Sequence, residues 1–380
     1  MRKVLFVTNH YLDQNFGGPN ASKGFIHAFA SIYKDMTLIY PDYGDSKCSD
    51  YIPSSVRRIP CFDNRSKFRK ILDVYLGRVT RYYRFIAEHL SNNQYDLIII
   101  DHSKIWANNT KCFISSNSKI ITIHHNVEKY YLKDNPINCL VRIQYNRYSL
   151  LAEKNAINNS DINLTLTLND KETLKSIYPN SKGSFYYLGA FEHKPISFTN
   201  PGIANKRSFI ITGNLSFKQT SAPIYDFLRF YLPVLETIIP DVRVIIAGRN
   251  PSKNIIEECQ KYHCVELVAN PKDMAPLLKR ASVYICPTDK GSGQKLRISD
   301  GLKSGLPVIC HRNSLSGYEM MLDQEFLIPY DSVESFKNAV IKVFNKMPDK
   351  YAVYSAYEAF FSLEAGIARL NGILSSENLI

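Results

Sequence analysis

The stretch Asp289-Lys290-Gly291-Ser292-Gly293-Gln294-Lys295-Leu296-Arg297-Ile298-Ser299-Asp300, closed by Gly305-Leu306-Pro307-Val308-Ile309, holds the residue types an anion site needs. A strand-like run ends at Cys286, a Gly-Ser-Gly loop follows, and a helical pattern leads to the next apolar run. Lys295 and Arg297 fall in the first turn of that helix. Cations there oppose the helix dipole unless an anion stands nearby. A diphosphate would turn that penalty into binding. Asp300 follows about one turn later, placed to accept hydrogen bonds from hydroxyls such as a ribose diol. The plainer reading makes both cations solvated surface residues; the coincidence of loop, cations and acid favours the anion site.

Two further segments sit where strands end. The first strand-like run leads into Asn15-Phe16-Gly17-Gly18-Pro19-Asn20-Ala21-Ser22, after which a helical pattern begins. Paired glycines let backbone N–H groups approach an oxyanion, and a helix N-terminus adds positive partial charge. A tight turn needing positive φ explains the same residues equally well. Thr122-Ile123-His124-His125-Asn126-Val127-Glu128 follows a strand directly, and Asp101-His102 ends another. A histidine at the carboxyl end of a strand in an α/β domain faces the ligand crevice more often than the core.

The elements that position these residues alternate. Apolar runs expected as strands are Val4–Thr8, Thr37–Tyr40, Leu97–Asp101, Ile120–Ile123 and Ile162–Leu168, then Ser208–Thr212, Val242–Ala247, Val265–Val268, Val283–Cys286, Pro307–Cys310 and Phe326–Ile328. Helical patterns occupy 69–91, 140–158, 223–239, 273–280, 294–304 and 332–346 between them. Strands apolar on both faces that alternate with helices argue for parallel sheets covered on both sides. At 380 residues the chain is too long for one ordinary core. A breaker-rich link, with His193-Lys194-Pro195 and Asn200-Pro201-Gly202, separates an expected N-terminal domain, 1–190, from a C-terminal one, 191–354. The last helical stretch, about 355–380, is expected to pack back on the first domain.

Composition excludes several classes. The chain is 45% hydrophobic and 22% charged, a globular balance. Its apolar runs are strand-sized, against the roughly 20 residues of a bilayer span. The apolar stretch after Arg2-Lys3 stops at Thr8-Asn9-His10, too short for a secretory signal. Eight scattered cysteines without a CxxC pair read as reduced thiols, so a cytoplasmic location is expected.

The net charge of +12 is uneven: 25 cations against 16 anions in residues 1–190, and 22 against 19 in the remainder. Residues 57–84 hold nine cations, opposed only by Asp63 and Asp73. From Ile71 the apolar positions Ile71, Tyr75, Val79, Tyr82, Ile86 and Leu90 recur at helical spacing, with Lys70, Arg78, Arg81 and Arg84 on the flanking arc. A basic amphipathic helix of this kind reads as an element facing an anionic membrane surface. A core-facing helix with an ordinary solvated basic face accounts for the same pattern. No nucleic-acid recognition motif is present.

Taken together, the motifs resemble those of GT-B-fold retaining glycosyltransferases of family 4, also called glycosyl transferases group 1, over nearly the whole chain. Gly17-Gly18 resembles the diphosphate-binding glycine loop of that family, and His125-Asn126-Val127-Glu128 its HN-x-E segment. Glu153 and Leu164–Asp170 resemble a further passage, with Asn169 where serine is usual, and Tyr187–Glu192 resembles the interdomain linker. Gly213-Asn214-Leu215-Ser216-Phe217-Lys218 resembles the loop that opens the second domain, and Gly291–Ile309 its donor segment. Ser292 and Asp300 stand at the family's Glu-x7-Glu pair, and Arg297 replaces a lysine, which keeps the charge but widens the donor fork.

The resemblance implies an α/β chain with two Rossmann-like doubly wound domains facing across a cleft. It implies transfer of a sugar, with retention, from a nucleotide-sugar, UDP- or GDP-linked, to a glycan or lipid-linked acceptor in bacterial surface polysaccharide synthesis. Gly17, Gly18, Asn214, Lys218, Ser292, Gly293, Gln294, Lys295, Arg297 and Asp300 would bind the donor. His125 would lie near the transferred sugar and acceptor, with His102, His124, Asn126 and Glu128 on the acceptor side. The chain has no Asp-x-Asp to hold a divalent ion, so neither metal nor cofactor is expected, and the cations with the glycine backbone would stabilise the leaving diphosphate. The altered Glu-x7-Glu pair keeps a second reading open, a non-catalytic GT-B-fold protein that binds a nucleotide, a glycan or a partner enzyme. An epimerase of the same fold would need inward acid/base carboxylates in both domains, and none is identified.

Overall fold

Apolar strand residues dictate the architecture. Val4, Leu5, Phe6 and Val7 are all fully buried, as are Leu97 to Ile100, which requires cover on both faces of the sheet. In this computed structural model, which describes residues 2–15, 17–44, 47–77, 82, 84–134, 140–198, 207–290 and 293–380, that cover comes from helices between parallel strands. The chain divides into two compact units, Met1–Pro195 with Phe361–Ile380, and Ile196–Phe360.

The first unit is built on β1 (Lys3–Thr8), β2 (Asp35–Asp42), β3 (Arg57–Phe62), β4 (Leu97–Asp101), β5 (Lys119–His124), β6 (Ile162–Thr165) and β7 (Ser184–Tyr187). They form one seven-stranded sheet in the order β3-β2-β1-β4-β5-β6-β7. Every pairing is parallel, with Val4 level with both Met36 and Leu97. Strand order reverses between β1 and β4, and ligands of such sheets bind beyond the carboxyl ends at that reversal. His10, Asp101 and His102 therefore start from favoured positions. The helix Gly17–Ile32 covers β1, Phe29 meeting Phe6 edge-on at 5.8 Å between ring centroids. The terminal helix Leu363–Ser376, capped by the Ser362 side chain on the Ala365 amide, packs on it.

The second unit repeats the plan with β8 (Ser208–Asn214), β9 (Arg243–Arg249), β10 (Val265–Ala269), β11 (Val283–Cys286), β12 (Val308–His311) and β13 (Leu327–Tyr330), in the order β10-β9-β8-β11-β12-β13. Its pairings are parallel too, and the reversal falls between β8 and β11. Two parallel sheets with interleaved helices are the expected α/β class.

The structure departs from the expected elements in three places. The 69–91 helix is not continuous: one helix spans Lys67–Tyr75 and another Phe85–Asn92. Gly77 turns the chain at φ +74°, and Arg84 precedes the second helix at φ +71°. Of the apolar positions expected to share one stripe, Ile71 and Tyr75 are exposed, whereas Tyr82 and Ile86 are buried. Second, the β6 run stops at Thr165, because the Thr167 side chain accepts from the Asp170 amide and starts the helix Leu168–Ile177. Third, β3 and β7 gave no strand signal. Both are edge strands, half-exposed, and β3 contains Pro60, so neither has the apolar run of a central strand. Among the described residues no helix is long and apolar enough to cross a membrane.

In the second unit Gly301 brings the helix Leu296–Lys303 down on the sheet: a Cβ there would lie 2.7 Å from Tyr284 Cγ and 3.0 Å from Val308 Cγ2. Gly301→Ala must push the helix off β11 and β12, at a cost of about 1–3 kcal/mol. Hydrogen exchange should show lost protection at the Tyr284 and Val308 amides, which bond to Pro307 and Phe326 carbonyls. Unfolding of the first unit, followed through its single tryptophan, Trp106, should be unchanged.

Candidate functional site

Asp101 ends β4 with no solvent exposure. A buried carboxylate needs hydrogen bonds from protein. Thr8, at the end of β1, donates from Oγ1 to Asp101 Oδ2 at 2.6 Å. His125, one residue beyond β5, lies with Nε2 2.6 Å from Asp101 Oδ1. Because an ionised carboxylate only accepts, His125 Nε2 carries the hydrogen. His125 Nδ1 is buried and has no hydrogen-bond partner among the described residues. Burial pushes the Asp101 carboxyl up, but the adjacent His125 ring with its hydrogen bond, then His10 and the Ser22 hydroxyl, outweigh it and hold the group below the usual carboxylate range.

Two more histidines complete the cluster. His102 follows Asp101 at φ +105°, a conformation a side-chain-bearing residue adopts under constraint. Its ring stacks on His125 at 5.5 Å between centroids. Burial, then the Lys104 charge, holds His102 neutral, well below the usual histidine range. His10, two residues beyond β1, has Nδ1 2.8 Å from Ser22 Oγ and 4.0 Å from Asp101 Oδ2, and its ring centroid is 4.9 Å from that of His125. Sequence reading missed His10, although its place beyond a strand's carboxyl end is the same signal that singled out His102 and His125. One nitrogen of His10, one oxygen of Asp101 and one nitrogen of His125 lie within 4.8 Å of one another, a spacing a divalent ion could bridge.

Gly17 and Gly18 are the first helical residues after this loop, and neither adopts positive φ, so the tight-turn explanation fails. At Gly18 a Cβ would meet His10 Nε2 at 2.6 Å: glycine here admits the histidine ring. Lys23, also missed, is fully buried on the same helix. Its ammonium donates to the Gln14 carbonyl at 3.2 Å and Asn15 Oδ1 at 2.9 Å and sits over the Tyr51 ring, fastening the loop before the glycines. Burial, then the Lys194 charge, lowers it to about 8.

Behind His102 lies an ionic layer. Glu128 opens the helix Glu128–Asp134 and pairs with Lys104 at 3.2 Å, its other oxygen lying 3.8 Å from Nε2 of the neutral His102. Burial raises the Glu128 carboxyl, with Lys104 pulling the other way. The Glu128 amide donates to Glu153 Oε2 at 2.6 Å, and Tyr178 donates to Glu153 Oε1 at 3.0 Å. His124 takes a different direction: it is buried in β5, 3.0 Å from Asn163 Oδ1, and burial lowers it to about 4. Asn126 is half-buried beside His125 in sequence.

The second unit gathers its cations at the carboxyl ends of β8 and β11. Arg297, in the first turn of the helix Leu296–Lys303, donates from Nη1 to Thr288 Oγ1 at 3.0 Å and from Nη2 to Thr220 Oγ1 at 3.1 Å. It has no carboxylate at ion-pair distance among the described residues. A Cβ on Gly213 would lie 3.4 Å from Arg297 Nη1, so the β8 turn and the guanidinium are neighbours. Lys295 precedes the helix with Nζ 3.5 Å from the Gly293 carbonyl, and Gly293 turns at φ +74°. Gln294 packs against Gly317, where a Cβ would meet its Cγ at 2.6 Å. Asn214 accepts from the Ser216 amide and hydroxyl, and Lys218 is exposed at the start of the helix Lys218–Asp226. Asp300 pairs with Lys303 at 3.0 Å. Ser292, with Gly291, lies outside the described residues, as do Arg78 and Arg81.

Residues 206–346 match the family described as Glycosyl transferases group 1. None of the curated proteins matches the chain in sequence. Its fold is shared with solved structures. HepE of Anabaena, in complex with UDP and glucose, aligns with a TM-score of 0.67 and 12% identity over 99% of this chain and 100% of that one. Sucrose-phosphate synthase of Thermosynechococcus elongatus aligns at 0.67 and 12% over 99% of each chain. The pneumococcal O-GlcNAc transferase GtfA, with UDP and GlcNAc, aligns at 0.66 and 10% over 99% of each. The chain thus has the GT-B fold, and its second unit carries the group 1 glycosyl transferase signature that the motifs resembled.

The buried acids give a pH signature. Burial pushes the Glu153 carboxyl up to about 7, the Glu128 amide pulling down and the Glu128 charge adding to the rise. Its unfolded value is about 4.3. Between these the folded state holds the extra proton, so stability falls as pH rises from about 4 to 7. Glu153→Gln keeps an acceptor for the Glu128 amide and cannot ionise. Urea unfolding of the variant against wild type should show a relative gain on the order of 3 kcal/mol across that interval. Parallel pH curves would exclude the raised carboxyl.

Proposed function

We propose that this chain is a retaining glycosyltransferase that moves a sugar from a UDP- or GDP-sugar to a glycan or lipid-linked acceptor in bacterial surface polysaccharide synthesis, acting in the cytoplasm at the inner face of the membrane. The observation that carries the reading is Arg297. Its guanidinium is held by two threonine hydroxyls, with no carboxylate partner among the described residues, at a strand reversal within the matched segment. Such a cation is poised for an anion. The leaving nucleoside diphosphate is the group whose developing charge needs stabilising in sugar transfer. UDP in the HepE and GtfA structures supports a uridine donor.

On the first unit we assign His125 to the transferred sugar or acceptor. Asp101 fixes its tautomer and leaves Nδ1 a bare acceptor for a hydroxyl hydrogen. We assign diphosphate stabilisation to Arg297, Lys295 and Lys218, without a metal. The non-catalytic reading is favoured by one observation: Asp300 is engaged by Lys303 on its own helix. In that case nucleotide binds without turnover.

Calorimetry and thermal shift with UDP, GDP, ADP and CMP should show one nucleotide preferred. Lys295→Ala/Arg297→Ala should weaken it about tenfold or more, as expected for lost charge-assisted hydrogen bonds. No binding of any nucleotide would sink the proposal. With a matched donor and acceptor, His125→Ala should lower kcat about 100-fold or more with nucleotide affinity unchanged. Chelation with EDTA should leave the rate unchanged, whereas metal-dependent turnover would reassign His10, Asp101 and His125 to an ion. The anomeric configuration of the product, read by NMR, tests retention.

A further inference from the structure

The helix Lys67–Tyr75 contains a single acidic residue, Asp73, and among the described side chains of the helix Leu140–Asn159 the single acid is Glu153. Both are buried, at 2% and 0% exposure. Asp73 turns inward to Arg65 at 3.2 Å and Arg69 at 3.3 Å, and Glu153 turns to the Glu128 amide and the Tyr178 hydroxyl. The outward faces are the reverse of an ordinary surface helix.

Phe68 (77% exposed), Ile71, Leu72 and Tyr75 follow an i, i+3, i+4, i+7 pattern and share one face. Leu140 (73% exposed), Ile143, Leu150 and Leu151, at i, i+3, i+10 and i+11, also share one side of the second helix. The two helices pack together, and a Cβ on Gly77, just past the first, would meet the Tyr148 ring of the second at 2.8 Å. Lys67, Lys70, Arg142 and Arg147 are exposed on the same two helices, Lys70 reaching Asp63 at 3.5 Å, and neither helix carries an exposed carboxylate of its own among the described residues.

Exposed apolar groups on this scale mark an interaction surface. The requirement they fit is that of a bilayer interface: aliphatic and aromatic side chains enter the acyl boundary while Lys and Arg remain at anionic headgroups. An acidic nucleic acid would satisfy the cations and leave Phe68, Leu72 and Leu140 in water.

We propose that this helix pair docks the chain on a bilayer containing anionic lipid, with Phe68, Ile71 and Tyr75 inserted and Lys67, Arg142 and Arg147 at the headgroup phosphates. It gives residues to the membrane-side placement proposed above, on which it rests: Ile71 and Tyr75 come from the expected apolar stripe and Lys70 from its flanking arc, and Phe68, Leu72 and the second helix add to them.

The test is sedimentation of the full chain with vesicles of phosphatidylcholine alone or with about 30% phosphatidylglycerol. Binding is expected to the anionic vesicles only. Phe68→Ser/Ile71→Ser and, separately, Arg142→Glu/Arg147→Glu should each weaken it about tenfold or more. These positions are solvent-exposed, so melting temperatures should not move. Absence of wild-type binding to anionic vesicles, or binding unaltered by both variants, overturns the proposal. So does a wild-type dimer that light scattering finds converted to monomer by Phe68→Ser/Ile71→Ser, which would give the face to a second copy. Nucleotide affinity measured on the same samples separates the two readings: its absence removes the transferase and leaves the docking surface standing.

Discussion

A carboxylate shut away from water at the end of a parallel strand must take its hydrogen bonds from protein, and Asp101 imposes that demand on the first unit. Thr8 supplies one from the adjacent strand, His125 another from the strand on the other side, and the Ser22–His10 pair closes the remaining approach. Each partner is thereby fixed in turn. His125 is held in one tautomer, His102 must bend to positive φ to stack on it, and residue 18 must lack a side chain so that His10 can lie beside Ser22. The cost of burying the carboxylate is offset by these charge-assisted bonds, and the result is a rigid imidazole with one nitrogen uncommitted.

The second unit meets a related problem with the opposite charge. Arg297 enters a helix through its first turn, where the dipole disfavours a cation. Thr220 and Thr288 orient the guanidinium but bring no countercharge. A cation so oriented, with no carboxylate at ion-pair distance among the described residues, would need little rearrangement to receive an anion, which is the preorganisation the proposed diphosphate site requires.

Burial of an acid also has a consequence far from either cluster. Turning Asp73 and Glu153 inward rotates their helices, so that apolar side chains that would ordinarily seek the core face outward instead. The energetic preference for pairing a buried carboxylate outweighs the gain of covering two or three aliphatic side chains, because an unpaired buried charge costs several kcal/mol and an exposed leucine about 2. Glu153 thus serves two elements, fastening the turn after His125 and setting the outward face of its own helix.

The sequence by itself determined the two parallel sheets. Central strands are buried on both faces, so their apolar runs are long and unbroken, and every central strand was legible from that signal. It also put His125 and His102 just beyond strand ends and Arg297 in the first turn of a helix, whereas Lys295, expected in that turn, stands one residue before it. The edge strands β3 and β7 were not legible, since half-exposed strands lack the run that marks the rest. Helical periodicity over 69–91 could show neither the break at Gly77 nor which of the apolar positions would face water. Likewise, no local signal ties His10 to Asp101 or Arg297 to Thr220, residues separated by 91 and 77 positions. Which side chains meet, which acid is buried and which nitrogen is left without a partner depend on packing between distant segments, and tertiary structure alone decided them.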